Sequence, residues 1–230
     1  SSAASDVYKR QGEGGVFMEK SYTKIYTTGA TVPLKIRPGH FATNHAHINY
    51  YIDVTTLKAR TKEAEEVAQA LVGMYLYDTV IDTIVCMEGT EVIGAFLAEE
   101  LAKGGFLSTN AHKSIYVISP EFNNNSQIIF RDNLIPMIRD KHVMILMASV
   151  TTGRTLNKAV ESIQYYGGIL QGASAIFSAM DSLDGVPIKS VFGKKDLPDY
   201  TYSDYRDCPL CKAGKKIDAL VNTFGYSPMG

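Results

Sequence analysis

The sequence predicts an α/β fold: an open parallel sheet with helices on both faces, followed by a small irregular or antiparallel C-terminal extension. Three observations point there. Short apolar runs of strand length alternate with stretches of helical period between residues 55 and 177. The helices close on glycine pairs, Gly104-Gly105 and Gly167-Gly168, as helices that turn back toward a strand do. From Ile188 onward the alternation gives way to short apolar pieces with Gly193, Pro198 and many tyrosines.

In chain order, Tyr22 to Tyr51 reads as irregular, aromatic and histidine-containing. A long helix is expected over residues 55–76, with Ala64, Val67, Ala68, Leu71 and Met74 or Tyr75 on one face and Lys58, Arg60, Lys62 and Glu65 on the other. Asp53 or Thr55 can cap it. A strand over 83–87 and a helix over 91–103 follow, then a strand over 114–118 and a short helix over 133–138. The apolar run at 142–147 is a strand of buried character, 155–166 a helix, and 169–177 a further strand. So few βα repeats cannot close a barrel, so an open doubly wound sheet is expected, with ligands beyond the carboxyl ends of its strands. Three loops qualify, Glu88-Gly89-Thr90, Ser119 to Phe130 and Ser149 to Thr155, and they are expected to converge.

Bulk properties narrow the function. A chain of 230 residues that is 45% hydrophobic and 20% charged is ordinary globular material, enough for one large domain or a domain with an appendage. A net charge of −1 gives no electrostatic footprint for nucleic acid or an anionic membrane. No apolar run approaches the roughly 20 residues needed to span a bilayer. Three cysteines without a secretory signal point to a reducing cytoplasm rather than a disulfide scaffold. Residues 1–17 stand apart: Ser1 to Gln11 has no apolar period and reads as translated adaptor sequence or a disordered tail, with Met18 a plausible native start.

The strongest local signal is residues 143–155, V-M-I-L-M-A-S-V-T-T-G-R-T. An apolar strand stops at a hydroxyl- and glycine-rich turn that feeds a helix, so several backbone N–H groups and the positive end of the helix dipole face one spot. That arrangement suits a phosphate. The plainer reading is a threonine-capped helix N-terminus of the kind any α/β protein contains. The earlier loop Glu88-Gly89-Thr90 sits in an equivalent position, where Gly89 permits close backbone approach and Thr90 can cap the next helix.

The order apolar strand, Thr-Thr-Gly-x-Thr, helix resembles the PRPP-binding motif of the type I phosphoribosyltransferases. The stretch Phe41 to Asp53, ending Asn49-Tyr50-Tyr51-Ile52-Asp53, resembles the part of the orotate enzymes that leads into their first helix. Together these cover roughly residues 35–180, and the element order fits the orotate branch best. The resemblance implies a phosphoribosyltransferase-like core at 55–185, an N-terminal hood-like segment at 18–54 and an extension at 186–230. It implies a 5′-phosphate held by Ser149, Thr151, Thr152, Gly153, Arg154 and Thr155, and a pyrophosphate loop at Glu88, Gly89 and Thr90. It also implies Mg2+ with the PRPP, a nitrogen base as second substrate, a place in pyrimidine biosynthesis and a homodimer. Two departures stand out. Where the family carries adjacent acidic residues this chain has Met147-Ala148, and the loop 119–127, basic in the orotate enzymes, is uncharged apart from Glu121 and offers no cation until Arg131. A non-catalytic nucleotide- or PRPP-binding regulator of the same fold is the alternative.

Cys208-Pro209-Leu210-Cys211 has the spacing of half a zinc site and needs two further ligands. Candidates are Cys86, His40, His45, His47, His112 and His142, or the same pair from a second copy. Buried or surface thiols are the plainer alternative, and surface histidines the plainer reading of the 40–47 cluster. The tyrosine-rich tail, Tyr200, Tyr202, Tyr205, Phe224 and Tyr226, suits a cover over the site, a subunit interface or packing on the core.

Overall fold

The computed structural model describes residues 22–103, 108–222 and 225–229. In chain order the elements are β1 (Thr23–Ile25), β2 (Leu34–Ala42), β3 (His47–Asp53), α1 (Thr55–Ala59), α2 (Thr61–Val72), β4 (Thr83–Cys86), α3 (Glu91–Lys103), β5 (Tyr116–Ile118), β6 (Glu121–Phe122) and β7 (Ile128–Ile129). A 3-10 turn at Ile135–Met137 precedes β8 (His142–Val150), α4 (Arg154–Tyr165), β9 (Ile169–Ser178), β10 (Ser182–Leu183) and β11 (Val186–Gly193). The chain finishes with β12 (Tyr202–Ser203), α5 (Pro209–Lys212), β13 (Ala219–Asn222) and β14 (Gly225–Pro228).

The central sheet runs β10-β11-β9-β8-β4-β5, parallel throughout except for the antiparallel edge strand β10. Strand alternation sends successive side chains to opposite faces. Ile84, Cys86, Met144 and Leu146 therefore join Ala64, Val67, Leu71, Ile93 and Leu97 of α2 and α3 in one core. Val85, Val143, Ile145 and Met147 join Leu156, Ala159, Val160 and Ile163 of α4 in the other. This is the expected α/β architecture, with helices on both faces. Gly94 shows how tightly one face closes: a Cβ there would lie 2.4 Å from Cys86 Sγ.

Several boundaries differ from expectation. The helix expected over 55–76 is two helices, broken at Arg60, whose φ −95°, ψ 116° is extended. The apolar period survives the break because Leu57 and Ala64 both reach the core. The break separates α1 as a short arm whose Lys58 Nζ donates to the Glu88 carbonyl at 2.6 Å. Neither proposed side-chain cap is used: Val54 is the N-cap, while Asp53 Oδ1 accepts from Thr55 N at 3.0 Å. The core also extends past 185, because Val186–Gly193 pairs in parallel with β9. Lys189 and Ser190 interrupt its apolar pattern and hid it. The expected helix at 133–138 contracts to the 3-10 turn, with Pro136 in its first turn.

The segment expected to be irregular, Tyr22 to Tyr51, carries three antiparallel strands, the last running on to Asp53. They form a second sheet, β12-β3-β2-β13-β14 with β1 beside β2, so the C-terminal extension completes the N-terminal segment rather than hanging from the core. The tail at 1–17, the pair Gly104-Gly105 and Phe224 lie outside the described residues. Among the described residues no helix is long and apolar enough to cross a membrane.

Candidate functional site

At the carboxyl end of β8, Thr151, Thr152 and Gly153 bend the chain into α4. Gly153 is the N-cap, with φ +76°, and a Cβ there would sit 2.8 Å from Leu183 Cδ2. Conformation and space both call for glycine. The first N–H groups of α4 have no partners within the helix and face outward with the positive end of its dipole.

They open onto a cleft of about 240 Å3. Ser149, Thr151, Thr152, Gly153, Arg154 and Thr155 all line it, as the sequence reading proposed. The opposite walls come from the second sheet and its neighbours: Thr43, Asn44, His45 and Tyr51, then Lys58, then Tyr200, Asn222 and Gly225. Tyr200 is buried, and its hydroxyl lies 3.0 Å from Thr151 Oγ1. Burial pushes its pKa up to about 12, with the Thr151 hydrogen bond working against that rise. Part of the tyrosine-rich tail thus covers the turn.

Glu88 enters from β4. Its backbone is left-handed, φ +61°, followed by Gly89 at φ +79°. Its Oε2 accepts from Ala148 N at 3.2 Å and Ser149 N at 3.3 Å. Burial raises the Glu88 pKa, against the opposing pull of the Ser149 N–H, the Lys58 charge and the Ala148 N–H. A carboxyl group therefore stands beside Met147 and Ala148, which are themselves 2% and 4% exposed. Gly89 and Thr90 do not line the cleft. The Thr90 hydroxyl faces the Met87 and Leu146 carbonyls, at 2.9 and 3.1 Å, tying β4 to β8.

Lys58, His45 and Arg154 are the basic side chains lining the cleft, beside the Glu88 carboxyl. His45 is held below the usual imidazole value, first by desolvation and then by the charges of Arg154 and Lys158. The expected loop Ser119 to Phe130 does not converge on this cleft. Residues 119–130 form the β6-β7 hairpin, which lies on α4 through Lys158 Nζ to the Ser126 carbonyl (3.2 Å) and Ser162 Oγ to the Ile128 carbonyl (3.0 Å). Arg131, the candidate loop cation, binds Glu121 Oε2 through Nε at 3.0 Å and Nη2 at 2.7 Å, and is not among the cleft-lining residues.

Behind the cleft rim, Cys208 and Cys211 meet His40 and His47, and all four potential ligand atoms lie within 4.8 Å of one another. The other candidates go elsewhere: Cys86 to the core, His45 to the cleft, His112 to the surface, and His142 to Asp82. Sequence reasoning did not single out Lys58, Asn222 or Gly225 for the site. Nothing in their local pattern marks them, since the second sheet and α1 bring them there.

No protein-family model and no curated protein matches the chain. Solved structures do. UMP synthase of Leishmania donovani superposes with a TM-score of 0.51 at 18% identity, over 71% of this chain and 34% of that one. Orotate phosphoribosyltransferase of Mycobacterium tuberculosis H37Rv in complex with inorganic phosphate gives 0.45 at 15% identity, over 65% of this chain and 81% of that one. Adenine phosphoribosyltransferase of Thermoanaerobacter pseudethanolicus gives 0.47 at 17%, over 63% and 88%. At such identities the likeness is one of fold, a mixed α/β architecture with a parallel sheet core.

Proposed function

We propose that the cleft binds PRPP or a ribose 5-phosphate nucleotide, and that the protein transfers the phosphoribosyl group to a nitrogen base such as orotate with release of pyrophosphate. The observation that carries this reading is the Gly153-centred turn at the N-terminus of α4, opening into a covered cleft that Lys58 and Arg154 line. In this reading the amides of residues 152–155, with hydroxyls of Thr151, Thr152 and Thr155, cradle the 5′-phosphate, and Arg154 adds charge at the mouth.

Such a transfer passes through an oxocarbenium-like centre, so positioning and electrostatic stabilisation carry it rather than a nucleophile. Glu88, a carboxylate lining the cleft, reaches from β4 to the Ala148 amide, beside the Met147-Ala148 positions to which the resemblance gives an acidic pair, and supports the reading in their stead. Mg2+ keeps several waters and binds through one or two carboxylates together with substrate phosphates. This cleft therefore suits Mg2+ arriving on the pyrophosphate, with Glu88 its protein ligand, where the ion would neutralise leaving-group charge. We infer a homodimer and small-molecule substrates, with no nucleic-acid partner. Incubation with PRPP, Mg2+ and each free base in turn, with detection of pyrophosphate, tests the enzyme; turnover with one base is expected.

A second reading has its own support. Met147 and Ala148 are apolar and buried, and the 119–130 hairpin lies away from the cleft. Each missing charge-assisted acceptor for a ribose hydroxyl is worth about 1.5–3 kcal/mol. A regulator that holds the phosphate and performs no chemistry matches those facts. No turnover with any base, together with saturable ribose 5-phosphate binding that Gly153→Val abolishes, decides for the regulator.

A further inference from the structure

We infer that His40, His47, Cys208 and Cys211 form a closed tetrahedral Zn2+ site that fastens the C-terminal extension to the N-terminal sheet. Zn2+ with two thiolates at about 2.3 Å and two imidazoles at about 2.0 Å makes a tetrahedron with edges of about 3.3 Å between nitrogens and about 3.5 Å between nitrogen and sulfur. Here His40 Nε2 lies 3.0 Å from His47 Nδ1, 3.5 Å from Cys208 Sγ and 3.6 Å from Cys211 Sγ. Cys211 Sγ lies 3.2 Å from His47 Nδ1. These are four of the six edges of such a shell, and all four ligand atoms lie within 4.8 Å of one another.

The surroundings orient the ligands. His40 is fully buried, and its Nδ1 lies 2.8 Å from the Lys215 carbonyl. A carbonyl only accepts, so Nδ1 carries the hydrogen and Nε2 presents its lone pair to the cluster, the outer contact typical of metal-bound histidine. Asp218 grips the same stretch through its Oδ2 to His40 N and its own N–H to the His40 carbonyl, both 2.7 Å. Cys208 is the N-cap of α5 and Cys211 lies within its single turn, where Pro209 fixes the start and Lys212 N donates to the Cys208 carbonyl at 3.0 Å. Two sulfur and two nitrogen donors in a tetrahedron select Zn2+ among the common divalent ions. All four positions are filled by protein, so the site is structural. His40 and His47 stand on either side of Thr43, Asn44 and His45, so the ion would also fix one rim of the cleft. The assignment stands whether or not the cleft binds a phosphate.

The full chain, purified reduced, is expected to carry about one Zn2+ by elemental analysis. Exchange to Co2+ should give the intense visible bands of a tetrahedral ion and a thiolate-to-metal charge-transfer band. Cys211→Ser and His47→Ala, chosen because both residues reach the surface more than Cys208 and His40, should each lower retained metal at least about tenfold. His45→Ala should retain it. The wild-type cobalt spectrum decides even where a variant fails to fold. A reduced chain that takes up neither metal overturns the proposal, as does a Cys208–Cys211 disulfide in protein isolated without air, or full metal retention in His47→Ala.

Discussion

Gly153 is the residue on which the proposed phosphate cradle turns. A β-branched residue at its left-handed φ of +76° costs about 1–3 kcal/mol, and a Cβ meets Leu183 at 2.8 Å. Gly153→Val is expected to lower the unfolding free energy by about that amount and to abolish ribose 5-phosphate binding, measured by denaturant melts and calorimetry. Gly153→Ala should cost less, about 1–2 kcal/mol, because the contact is with a terminal methyl that can move. His45 reports on the same cleft. Free, it is held below the ordinary value by desolvation and by Arg154 and Lys158. A bound phosphate opposes those cations, so the imidazole pKa should rise on binding. Affinity should therefore strengthen as pH falls through the free His45 pKa, and His45→Ala should flatten that slope. A His45 resonance whose titration does not move on ligand addition would count against the cleft as an anion site.

At the scale of elements, the amino ends of β4 and β8 are tied by Asp82, at the end of the sheet opposite the cleft. Its Oδ2 accepts from His142 N at 3.0 Å and Nδ1 at 2.7 Å, and its Oδ1 from Lys113 Nζ at 3.1 Å. Burial alone would raise its pKa, but the hydrogen bonds from His142 and Lys113 and the Lys113 charge outweigh that and bring it to about 2. A depressed carboxylate stabilises the fold above its unfolded pKa of about 3.9, and that stability is lost as pH falls toward the folded value. Asp82→Asn should cost about 1–2 kcal/mol at neutral pH and remove that part of the acid dependence between about pH 4 and pH 2, while leaving phosphate binding unchanged. Melts across that range test it. These strands were legible because each buried run carries its own apolar pattern. Val186–Gly193 was missed because Lys189 and Ser190 break its run, and the kink at Arg60 because the apolar face of Leu57 and Ala64 continues across it.

For the whole molecule, the decisive fact is that the N-terminal strands and the C-terminal extension share one sheet. That sheet brings Tyr200, Asn222 and Gly225 over the Thr151–Thr155 turn and brings His40 within 3.5 Å of Cys208, 168 residues away. The turn itself could be read from sequence because strand, glycine and helix are consecutive, and both its conformation and its exposed amides follow from local backbone geometry. The Cys208-Pro209-Leu210-Cys211 spacing likewise announced half of the side-chain cluster proposed to hold Zn2+. Which histidines complete it, that Glu88 reaches the Ala148 and Ser149 amides from 60 and 61 residues away, and that Arg131 pairs with Glu121 outside the cleft were decided by packing. The sequence determined the parallel α/β core and the turn, since periodicity and backbone chemistry act over neighbouring residues. Only the tertiary structure assembled the cleft walls and the four-ligand cluster, since side chains far apart in the chain meet through sheet pairing that no local pattern encodes.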